Sequence, residues 1–138
     1  MNQNFTLIAR ILLGLIFTAA AIAGLIGQLP PPEGIEAQAF MGNLFDSGLL
    51  VFVKIIELVA GLALVSGFFT PLALMMLAPI IVNIFYFHLT LDPAGIPIGI
   101  LLVVLAMVVA NGYRNVFFTL LQPRLKRTEE PSVRVSAV

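Results

Sequence analysis

The chain has 138 residues, of which 60% are apolar and only 10% are Asp, Glu, Lys or Arg, whereas an ordinary soluble domain is about half apolar and a quarter charged. Seven basic and seven acidic residues cancel, so no net field draws a polyanion, and nucleic acid is not an expected partner. Cysteine is absent, which excludes disulfide frameworks, zinc–thiolate centres, iron–sulfur clusters and dithiol relays; with a mean hydropathy of +1.09, the composition is that of an integral membrane protein.

Three intervals carry no charge at all, residues 11–29, 58–91 and 93–113. A membrane helix needs about 20 mainly apolar residues. The middle interval is long enough for most of two crossings, and Gly67-Phe68-Phe69-Thr70-Pro71 divides it, since Gly ends helices and Pro suits a first turn. The expected fold is therefore all-α, an integral membrane four-helix bundle over residues 1–122. Its spans fall at about 5–27, 47–68, 71–89 and 96–121, with a short tail at 123–138. The first span follows Arg10 as a signal sequence would, but its apolar run exceeds the about 7–15 residues of such a segment, so it is expected to be a retained helix. Pro30-Pro31-Pro32 stiffens the first connection. After it, residues 35–43 mix Ile35, Phe40 and Met41 with polar residues, as in a short helix lying on a membrane.

Basic residues set the expected orientation. Arg10 lies near the start of the first span, and Arg114, Arg124, Lys126 and Arg127 lie at or after the end of the fourth. The connection at 28–46 carries Glu33, Glu36 and Asp46 without a Lys or Arg, and the one at 90–95 carries only Asp92. Four crossings place both termini on one side, and the positive-inside rule makes that side cytoplasmic. The expected location is the bacterial inner membrane, crossed several times, with the lipid bilayer as the first partner.

Small residues are what allow membrane helices to approach closely. The first span offers the rows Ala19, Ala23, Gly27 and Ala20, Gly24; the second offers Ala63 and Gly67, the fourth Ala106 and Ala110. Packing within one bundle is the simpler use of these rows, a homodimer seam the alternative. Pro79 removes a donor inside the third span and leaves the Met75 carbonyl without its usual partner, which predicts a kink, or alternatively a hinge.

Four polar residues inside the spans call for an explanation. Lys54 and Glu57 are three apart and share a helical face, and Gly61 continues that face, where another backbone can come close. A carboxylate that deep is costly unless paired or protonated. Two readings stand: a structural ion pair with Lys54 snorkelling towards the outer interface, or a ligand or proton site facing a cavity open to the outer leaflet. His88, the only histidine, and Asn83 fall in the same outer half, with Asp92 in the next loop. They are about 140° apart around a helix, so both cannot point squarely at one partner. His88 reads as an interfacial hydrogen-bonding residue rather than a catalyst, and it can share a polar cluster with Lys54 and Glu57. Lys54, Glu57, Asn83 and His88 are thus the candidate ligand-binding residues. No catalytic residue or metal ligand set is expected, because phosphate loops, Ser/His/Asp triads and zinc motifs are absent and a single histidine cannot ligate haem twice.

Arg10-Ile11-Leu12-Leu13-Gly14-Leu15-Ile16-Phe17, then Glu57-x-x-x-Gly61-x-x-Leu64-x-x-Gly67, then Asp92-Pro93-x-Gly95 together resemble the DoxX-like family of small four-helix bacterial membrane proteins, from residue 5 to about 121. Many members end the first helix with glycine followed by lysine; Gly24-Leu25-Ile26-Gly27-Gln28 has no such lysine, so no role of that lysine transfers. The founding archaeal members are subunits of a thiosulfate:quinone oxidoreductase, and others are linked to redox or oxidative-stress complexes. The resemblance implies an accessory or quinone- or lipid-facing subunit of a membrane redox assembly, with a membrane redox protein as partner. Without cysteine, thiol-based electron transfer by this chain is excluded. A small-molecule binder or transporter with an outward-facing polar cavity around Glu57 is the alternative. Neither reading gives the chain catalysis of its own, and no resident cofactor is expected beyond a quinone.

Overall fold

In the computed structural model, which describes residues 3–120, every regular element is a helix. Helix α1 runs Gln3–Leu25, α2 Ile35–Asp46, α3 Leu49–Ser66 and α4 Thr70–Thr90; a 3-10 turn at Pro93–Gly95 leads into α5, Ile96–Gly112, and α6 follows at Arg114–Leu120. Four segments are long and apolar enough to cross a membrane: α1, α3, α4 and Pro93–Gly112. At 1.5 Å per residue, the 23 residues of α1 extend about 35 Å, enough for a hydrocarbon core of about 30 Å.

The helix ends follow local chemistry. Gly48 and Gly67 flank α3, both with positive φ, a region that costs glycine nothing. The Gly67 N–H donates to Ala63 O at 3.0 Å, and the Thr70 hydroxyl donates to Gly67 O at 3.2 Å. Phe69 bends the chain at φ 55, and Pro71 in the first turn of α4 brings no donor that the helix needs. Pro79 lies within an α4 that remains helical on either side of it.

The four long helices alternate in direction, and each packs on its chain neighbours, with α5 closing the ring against α1; α1 and α4 form the diagonal. The middle of the bundle is a tight apolar layer that includes Leu13, Phe17, Leu64, Leu77, Leu105 and Val109. Large apolar side chains such as Ile8, Phe52, Val82 and Met107 face outward on all four helices. In water such a belt would be an association surface; in a bilayer it is the lipid-facing one.

The strongest approach is between α1 and α3. A Cβ on Gly14 would lie 2.8 Å from Gly61 O, and one on Gly61 would lie 2.9 Å from the Thr18 backbone nitrogen, so neither position has room for a side chain. Gly61 is thus the close-approach point that its helical face predicts. The row Ala19, Ala23, Gly27 does not form the α1–α3 contact: Ala19 and Gly27 are exposed. Gly14, which was not among the expected packing residues, takes that place.

Two further differences matter. The fourth span, expected to run unbroken over 96–121, stops at Gly112 and restarts at Arg114, with Tyr113 at φ −108 and ψ 18. Asn111 and Gly112 are weak helix formers, and bare Gly112 lets Thr6 of α1 press in where a Cβ would collide with it. The helix anticipated at 35–43 extends to Asp46 as α2 and packs on α3. The tail at 123–138 lies outside the described residues.

Candidate functional site

At the end of the bundle that carries α2, the long helices spread around a cavity of about 640 Å³. Its walls are mainly apolar: Phe17 from α1, Met41 and Leu44 from α2, Ile80 and Ile84 from α4, and Leu102 from α5. Helix α2 forms its cover. Gln38 Nε2 donates to Pro32 O at 2.9 Å, tying α2 back to the proline run, and Phe40 stacks at 5.6 Å on Phe87 of α4. The cover is possible because Gly34 passes tightly under the α4–α5 connection, where a Cβ would meet Leu91 O at 3.0 Å.

The structure brings Lys54, Glu57, Asn83 and His88 to this one cavity. Lys54 Nζ donates to Glu57 Oε2 at 2.6 Å; the two residues are 8% and 2% exposed. Glu57 lies about 12 Å along α3. Lys54 does not snorkel outward. Its methylenes lie across Gly24 of α1, where a Cβ would fall 2.8 Å from Cδ and Cε, and its head turns in to the carboxylate. An ammonium carries three donors, and Glu57 takes one, which leaves the rest for an occupant of the cavity.

His88 forms a separate pair. Its Nδ1 lies 3.1 Å from Asp92 Oδ2 and 3.3 Å from Asp92 O. The ring meets Phe87 edge-on at 5.3 Å and lies against Gly95, where any Cβ would collide with it. Asn83 borders the cavity as an exposed residue, bonded to neither pair. Sequence reasoning placed the four polar candidates together. It left Asp92 outside the candidate set, although the i,i+4 spacing from His88 was the available signal, it gave Phe17 and Leu44 no role, and it read Phe40 and Met41 as part of a helix on the membrane rather than as cavity walls.

The pair is poorly explained as a stability device. Desolvating two charges costs several kcal/mol, and apolar replacements of similar volume are often as stable or more so. What the arrangement offers chemically is a donor and an acceptor side by side in an apolar chamber, suited to a molecule with an oxygen-bearing head and an apolar body. Among the described residues, no three His, Asp or Glu side chains converge as a metal site.

The DoxX family model matches residues 5–89, more than half of the chain. This chain belongs to the DoxX family. With four helices of membrane-spanning length, this DoxX protein is a multi-pass membrane protein. The matched region contains Lys54, Glu57, Asn83 and His88 but ends before Asp92, whereas the resemblance was expected to run to about residue 121. No curated protein and no solved structure matches the chain.

Proposed function

We propose that this DoxX protein binds, inside the membrane, a small amphiphile of the quinone class, and that it serves a membrane redox assembly as an accessory, ligand-holding subunit. The observation that carries the binding half is the buried Lys54–Glu57 pair facing a mainly apolar cavity. A quinone carbonyl accepts from the Lys54 ammonium, and a quinol hydroxyl donates to Glu57, so both redox forms find a partner. Phe17, Phe40 and Phe87 supply aromatic surface for a ring. The accessory role in a redox assembly is supported by family membership.

The expected setting is a bacterial inner membrane with cytoplasmic termini. Charge separation supports it: Arg10 and Arg114 line a recess at one end, while Glu33 and Asp92 border the cavity at the other. The cavity then faces the outer leaflet.

Decylubiquinone titrated into the purified protein, followed by thermal unfolding and native mass spectrometry, tests the binding. Saturation at 100 times Kd corresponds to about 2.7 kcal/mol of added stability. Glu57→Gln keeps the shape and loses the charge-assisted acceptor, so affinity is expected to fall about tenfold or more. Equal binding by wild type and by the double variant Lys54→Met, Glu57→Met would remove the pair from the site and overturn the proposal.

A further inference from the structure

The opposite end of the bundle holds a second recess, of about 500 Å³, between the first turns of α1 and the break that separates α5 from α6. The quinone-class reading makes no use of it. Gln3, Thr6, Arg10, Tyr113, Arg114 and Asn115 line it. It therefore contains two guanidinium groups, and no carboxylate is among its lining residues. Neither arginine has an ion pair among the described residues, whose pairs are Lys54–Glu57 and His88–Asp92.

Arg10 is held rather than free to swing. It is partly buried, and its guanidinium lies against bare Gly67 at the end of α3, where a Cβ would collide with Nη1 and meet Cζ at 2.9 Å. The negative end of the α3 dipole favours a cation there, and Gly67, at φ 84, is a position that suits glycine alone. Two guanidinium groups lining one recess supply the donors and charge that a tetrahedral oxyanion takes.

We propose that this recess binds the phosphate of an anionic phospholipid in the leaflet at the end of the bundle where α1 begins. The recess lies where α1 begins and α5 ends, which is the height of lipid headgroups for helices of this length. Leu7 of α1 lines it and is itself exposed, and exposed Phe118 follows Arg114 by one turn of α6, so a headgroup seated there has apolar surface beside it for its acyl chains. Tyr113 lines the recess, and tyrosine favours the membrane–water boundary. Basic recesses between membrane helices recognise phosphate headgroups in this manner. A soluble phosphate shares the chemistry but has no use for the flanking apolar side chains.

The test compares phosphatidylglycerol with phosphatidylcholine by native mass spectrometry of the full chain, with inorganic phosphate as a competitor. Wild type is expected to prefer phosphatidylglycerol, and each Arg→Gln change at 10 or 114 is expected to weaken that preference about fivefold. The double change is expected to abolish it, while Glu57→Gln, in the other cavity, leaves it intact. Arg114 is exposed, so Arg114→Gln alone remains informative if the Arg10 variant fails to fold. An unchanged preference in Arg114→Gln and the double variant overturns the site. Thermal stabilisation by millimolar inorganic phosphate without lipid preference overturns the lipid assignment and assigns the recess to a soluble anion.

Discussion

The proposed binding turns on one side chain, Glu57. It is 2% exposed and has a single partner, Lys54 Nζ at 2.6 Å. Removing one member of such a pair leaves the other charged and buried, so Glu57→Ala is expected to lower stability by about 3–5 kcal/mol. Replacing both with methionine removes both desolvation costs and is expected to leave unfolding within about 1 kcal/mol of wild type or above it. Denaturation in detergent, run on both variants, checks the contrast. A double variant as unstable as the single one would make the pair a structural anchor. The sequence made this pair conspicuous because charge inside an apolar span is rare. It did not show the glycine beneath Lys54, since Gly24 acquires that role only when α1 lies against α3.

At the scale of elements, the bundle depends on where backbones touch. Gly14 and Gly61 meet across α1 and α3, and the atoms nearest a Cβ on Gly61 include the Thr18 backbone nitrogen at 2.9 Å and Gly14 O at 3.0 Å. Backbone cannot rotate away as a side chain can. Gly61→Ala is therefore expected to destabilise by about 1–3 kcal/mol through overpacking. Gly42→Ala in α2, with nothing within 4 Å, is expected to gain about 0.5–1 kcal/mol from helix propensity. Thermal unfolding of the two variants side by side reads both signs. The long helices were legible as charge-free runs, and their turn at Gly67–Pro71 as punctuation. Their facing sides were not. A helix that is apolar all round gives no amphipathic stripe to read, which is why Ala19 and Gly27 looked as suitable for packing as Gly14. The break at Tyr113 was hidden for a similar reason: it depends on Thr6, more than a hundred residues earlier, pressing on Gly112. Likewise α2 was visible as a helix, but its place over the cavity rests on the Phe40–Phe87 stack and the Gln38–Pro32 bond.

Among the described residues, charge divides the two ends, with arginines where α1 begins and α5 ends and acidic residues around the cavity. The proposed orientation can be read directly, because the chain has no cysteine to mask. Single cysteines at exposed Glu36 and Asn115, probed on intact cells with a membrane-impermeant maleimide, are expected to label at 36 and stay silent at 115. The reverse pattern would invert the protein in its membrane. The apolar layer of Leu13, Leu64, Leu77 and Val109, all 0% exposed, lies between the two recesses. Each recess thus ends against packed side chains. A guest that settles beside Lys54 leaves by the doorway it used or slips sideways between helices into the surrounding leaflet. For the proposed ligand, the cavity is then a berth entered and left within a single leaflet.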